Sequence, residues 1–107
     1  MHNFLLALML SLLAVVANAD HEEYRFVLKN HIFSPAQIQV PVNSLVYLVI
    51  ENKDASPEEF ESRDLHREKI IAAGKTAKIK IGPLKAGSYH FMGAFNSDTA
   101  QGVVIVK

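Results

Sequence analysis

Lys78-Ile79-Lys80-Ile81 alternates lysine with isoleucine, and a two-residue period of this kind buries one face of a chain only when the chain is extended. Gln37-Ile38-Gln39-Val40 repeats the pattern and stops at Pro41, and Tyr24 to Lys29 alternates in the same manner. Leu45 to Ile50 is an unbroken apolar, β-branched run between Asn43-Ser44 and Glu51-Asn52, as expected of a strand inside a sandwich. Ser88 to Phe95, with aromatics at Tyr89, Phe91 and Phe95, and Gly102 to Val106 read as the last strands. Asn30 to Pro35 reads as a turn-rich connection and Gly82 to Gly87 as a loop. About seven short strands with turn signals between them predict an all-β sandwich.

The N-terminal segment has a different character. Asn3 to Val16 is almost wholly apolar, and every Lys, Arg, Asp and Glu lies beyond it. The run is shorter than the ~20 residues a membrane-spanning helix needs. It ends in Ala17-Asn18-Ala19, small residues at the positions a signal peptidase inspects, followed by Asp20. The n-region carries His2 and no Lys or Arg. The expectation is a signal peptide over residues 1–19, a single domain over 20–107 and a periplasmic location. The chain has no cysteine, so it has no disulfide, no thiolate ligand and no cysteine nucleophile. A formal net charge of zero without a basic block argues against nucleic acid as a partner. No serine sits in a nucleophile elbow, and the glycines are too scattered for a phosphate loop.

The charged segment Asp54 to Lys69 sends two signals. Ser56-Pro57-Glu58-Glu59 has the form of a capped helix start, with Pro at the first helical position. Phe60 and Leu65 are the only apolar anchors before Ile70, and residues five apart do not share a helical face.

Phe33-Ser34-Pro35 and Ile38-Gln39-Val40-Pro41 open an ordered series of fragments. It continues through Glu58 to Ser62, Arg67-Glu68-Lys69, Gly82 to Tyr89, and Phe95 with Thr99 to Gly102. Together they cover nearly all of the chain beyond residue 19. The series resembles the small periplasmic cupredoxin-like proteins associated with bacterial iron-permease uptake systems. That resemblance implies a Greek-key β-sandwich, and it implies that Glu58 to Ser62 is a strand edge and not a helix.

The same resemblance makes the missing residues informative. A blue-copper cupredoxin has a His just before its Glu-Phe pair, then Cys, His and Met on the late loop, which form a trigonal site with a weak axial thioether. The corresponding positions here are Glu58, Gly93, Asn96 and Ala100. No type 1 copper is therefore expected. The iron-system branch often reads Gly-Glu-Phe before the late loop, where this chain has Gly93-Ala94-Phe95.

The side chains left to bind a metal are oxygen and imidazole donors: Glu58, Glu59, Glu61, His66, His90 and His31, with Glu68 and Asp98 as further carboxylates. Such donors suit iron or copper ions as well as Mn(II) and Zn(II). In an extended Glu58 to Ser62, Glu59 and Glu61 share one face and Glu58 takes the other. Simpler readings stand beside each candidate. The glutamates suit a solvated acidic edge that blocks strand-to-strand aggregation. His66 and His90 suit exposed surface positions, His31 suits a locally hydrogen-bonded turn, and Met92 suits the core.

The resemblance implies a metal-binding accessory of ferrous-iron uptake that binds or passes iron or copper. It implies a membrane iron permease and other periplasmic iron-uptake proteins as partners, with no enzymatic role beyond assistance to iron oxidation. The alternative is a metal-free interaction module on the same scaffold. A copper electron carrier is disfavoured by the missing ligands.

Overall fold

The structure, a computed structural model, describes residues 21–107; the apolar run and its cleavage motif lie outside the described residues. The nine strands among the described residues form two sheets. β1 (Glu23–Lys29), β2 (Ile32–Ser34), β4 (Val46–Asn52) and β7 (Thr76–Ile81) make a four-stranded sheet in the order β2-β1-β4-β7. β3 (Gln37–Val40), β5 (Glu58–Ser62), β6 (Arg67–Ile71), β8 (Gly87–Gly93) and β9 (Gln101–Val106) make the second, in the order β3-β9-β8-β5-β6. The pairs β1–β4 and β3–β9 are parallel, and the other pairs are antiparallel. This is the all-β sandwich that the strand pattern predicts, in the Greek-key form that the resemblance implies.

Alternation decides which face each strand buries. On β7 the buried residues are Ala77, Ile79 and Ile81, and Lys78 and Lys80 point outward. The core between the sheets is led by four phenylalanines. Phe26, Phe33 and Phe60 each place a ring centroid 5.1 Å from that of Phe91. Gly102 lies opposite Phe91 in the β8–β9 ladder, where a Cβ would fall 2.2 Å from the ring. The phenylalanine cluster therefore requires a residue without a side chain at that point.

Three details differ from the sequence reading. Residues 30–35 hold a strand, because Asn30 and His31, at φ 53° and 60°, make a tight hairpin turn that returns β2 onto β1. The Asp54 carboxylate accepts hydrogen bonds from both turn amides, at 2.6 and 3.0 Å. The expected strand to Phe95 stops at Gly93, and Ala94–Asn96 forms a single 3-10 turn. The capping signal at Ser56-Pro57 is overridden, and Glu58–Ser62 is extended and paired on both sides, by β6 and β8.

Candidate functional site

The alternation of β5 divides its glutamates between two environments. Glu58, Phe60 and Ser62 are buried on the inner face, and Glu59 and Glu61 are half-buried on the outer face. Two buried polar side chains hold the ends of this strand in place. Asn52 donates through Nδ2 to the carbonyls of Ser56 and Ile71 at 2.9 and 3.1 Å and accepts from the amide of Asp54 at 3.0 Å. Ser62 donates to the carbonyl of His90 at 2.5 Å and accepts from the amide of Leu65 at 3.0 Å. Sequence reasoning passed over both residues. Asn52-Lys53-Asp54, which has the form of an Asx turn, was the available signal for Asn52.

At the inner end of β5, Glu58 is only 1% exposed. Its Oε1 accepts hydrogen bonds from the amides of Glu59 and Phe95 at 3.0 and 2.8 Å, and its Oε2 accepts one from Asn96 Nδ2 at 2.7 Å. A Cβ at Gly93 would fall 2.6 Å from Glu58 Cδ and 2.8 Å from Ala100 Cβ. The four positions Glu58, Gly93, Asn96 and Ala100 thus meet at one corner of the sandwich, although the last three are far from Glu58 in sequence.

The outer face carries a second arrangement. Glu61 stands directly opposite Glu68 on β6 and Met92 on β8, and Glu59 stands opposite Ile70. Glu59, Glu61 and Glu68 each bring a carboxylate oxygen to within 4.8 Å of the others. None of the ion pairs among the described residues involves these three. Like charges directly across a ladder are destabilising. Partial burial first, then the nearby charges of Glu68 and Glu61, push the Glu59 carboxyl above its usual range.

The structure brings together only part of the candidate set. Glu58 faces the interior and is separated from Glu59 and Glu61 by the thickness of the strand. His90 and His66 line the two depressions that flank Glu61, His90 beside Met92 and His66 beside Glu68, and neither belongs to the carboxylate group. The amide of His90 donates to Asp64 at 2.9 Å. His31 sits in the β1–β2 turn with Nδ1 3.4 Å from Asp54, the local arrangement weighed for it from sequence. Glu68 completes the outer group, and only the β5–β6 register reveals it.

The model of the cupredoxin-like domain family matches residues 3–106. The chain belongs to that family. The cupredoxin-like chain is 45% identical over 85 residues to the uncharacterized protein RP394 of Rickettsia prowazekii (strain Madrid E), covering 79% of this chain and 68% of that one. Its fold is similar to that of the metal-binding domain of the Cu(I)-exporting P-type ATPase CopA of Streptococcus pneumoniae D39. The TM-score is 0.73 at 15% identity, over 84% of this chain and 90% of the other. It is also similar to an apo copper-binding protein solved by NMR, with a TM-score of 0.72 at 22% identity over 84% and 92% of the two chains. A purple cupredoxin of Nitrosopumilus maritimus aligns at a TM-score of 0.61 and 18% identity, over 82% of this chain and all of the other.

Two of these similar structures are of copper-binding proteins, and the residues at the corner here do not fit copper as a type 1 centre. Gly93 and Ala100 offer no side-chain donor atom, and the chain contains no cysteine to supply a thiolate. Asn96 turns its amide NH2 toward Glu58, and the Glu58 oxygens already accept three N–H groups.

Proposed function

We propose that this cupredoxin-like protein is a periplasmic metal-handling accessory of a ferrous-iron uptake system, holding its ion on carboxylates and not on a copper–thiolate centre. The supporting observation is the outer ladder, where Glu59, Glu61 and Glu68 hold carboxylate oxygens within 4.8 Å of one another without a neutralising lysine or arginine pair among the described residues. Hard oxygen donors favour Fe(II), Fe(III) or Mn(II) over Cu(I), and a bound cation would offset the repulsion across the strands. The openness of the site suits an ion that is passed on to a membrane permease. The signal peptide delivers the domain to the compartment where such a permease receives iron.

Anaerobic Fe(II) titration calorimetry, with Cu(II) in parallel, tests the reading on a His21→Ala background, so that the imidazole next to the free amine of a chain cleaved after Ala19 does not add a binding site of its own. Glu61→Gln and Glu68→Gln should each weaken Fe(II) binding about tenfold or more, a loss of about 1.4 kcal/mol. Binding should also weaken as pH falls, because the ligands must be deprotonated. Equal affinities in all three proteins, or no binding at micromolar Fe(II), refute the site. A second reading, a metal-free interaction module, is favoured by Phe95, which is 53% exposed on a turn fastened to Glu58.

A further inference from the structure

We infer that in this chain the metal position of the cupredoxin fold is taken by the Glu58 side chain itself, a carboxylate staple that fixes the late loop and excludes an ion from the corner. The side-chain carboxyl carbon of Glu58 lies where a side chain at Gly93 would be, because a Cβ on that glycine would stand 2.6 Å from it. Ala100 Cβ borders the same point, at 2.8 Å from that Cβ position. The corner is therefore filled by protein atoms, with small residues at two late-loop positions making the room.

The polarity around Glu58 leads to the same conclusion. Two backbone amides and the Asn96 NH2 aim at its oxygens, and each presents the positive end of an N–H dipole. A cation placed there would meet three donors and would have to displace them from their acceptor. The staple crosses a long stretch of chain, joining β5 to residues 37 and 38 positions later. The loop it holds is also closed on itself. Gly93 donates to Ala100 at 2.9 Å, and Ala100 donates to Asn96 at 2.9 Å. A metal ion bound by residues from the same two segments would tether them in the same way; here hydrogen bonds to a buried carboxylate provide the tether.

Amide hydrogen exchange at Phe95 and Ala100 tests the staple, read in a Glu61→Gln/Glu68→Gln background so that an ion on the outer ladder has no effect. Failure of the outer metal site therefore leaves this test intact. Phe95 should be protected without any ion, and Cu(I), Cu(II) or Fe(II) should change its exchange by less than about twofold. Glu58→Leu keeps the bulk but removes the acceptor, and it should speed Phe95 exchange about a hundredfold. Should that variant fail to fold, Glu58→Gln and Asn96→Ala serve, because each keeps an acceptor for the Phe95 amide but weakens the staple, and each should speed its exchange about threefold to tenfold. Phe95 protection unmoved by every substitution overturns the staple. So does an ion that slows Phe95 exchange tenfold or more with Glu58 present and not with Glu58→Gln.

Discussion

Gly93→Ala puts the packing of the corner to a quantitative test. The new methyl carbon would lie 2.6 Å from Glu58 Cδ, 2.8 Å from Glu58 Oε2 and 2.8 Å from Ala100 Cβ. Comfortable carbon contacts are about 3.5–4.0 Å, so the overlap is about 1 Å. The glycine backbone itself, at φ −90° and ψ 105°, is ordinary extended chain, so alanine adds no backbone strain. Overpacking of a core costs about 1–3 kcal/mol, and pushing Glu58 aside also weakens hydrogen bonds worth about 1.5–3 kcal/mol each when one partner is charged. We expect Gly93→Ala to destabilise the protein by about 2–4 kcal/mol. Glu58→Ala alone should cost about 3–5 kcal/mol, since it leaves a void and three unanswered donors. In the double variant the methyl group enters the space Glu58 vacated, and only the Ala100 contact stays tight. The double variant should therefore be no less stable than Glu58→Ala, with a coupling of about 2 kcal/mol or more. Urea unfolding followed by circular dichroism gives all four stabilities. Additivity within about 0.5 kcal/mol would show that Gly93 and Glu58 do not compete for one space.

Gly102→Ala should be at least as damaging, by about 3 kcal/mol or more in the same assay, because the methyl meets the rigid ring of Phe91 at 2.2 Å. The Glu59 carboxyl titrates higher in the folded protein than its ordinary 4.5, so between the two values the folded state binds more protons and protonation stabilises it. Glu59→Gln removes that contribution, so its stability relative to wild type should be greatest at neutral pH and shrink toward pH 4.5, as checked by urea midpoints; a constant difference would contradict this. Copper-loaded wild-type protein should show no intense thiolate-to-copper absorption, whereas Glu58→His/Gly93→Cys/Asn96→His/Ala100→Met should acquire one. A folded, copper-loaded quadruple variant without that absorption would overturn the placement of the late loop.

The β-sandwich was legible because alternation is local: Lys78 to Ile81 shows its buried face residue by residue. The division of Glu58 from Glu59 and Glu61 was legible on the same ground once the segment was taken as extended. That choice itself was not local, since Ser56-Pro57-Glu58-Glu59 satisfies a helix start, and pairing with β6 and β8 outweighs the capping it offers. The hairpin at Asn30-His31 escaped detection because its turn amides find their acceptor in Asp54, beyond any local window.

The sequence by itself determined the donor types: no thiolate anywhere, carboxylates and imidazoles in their place, and glycine, asparagine and alanine at the late-loop positions. Only the tertiary structure decided how those groups are used. The β5–β6 register places Glu68 against Glu61, and the return of the late loop onto β5 carries Asn96 and the Phe95 amide to Glu58. Both depend on contacts between residues distant along the chain. A periodicity in the sequence specifies which face a side chain occupies, but the partner it meets there is set by strand register and loop closure.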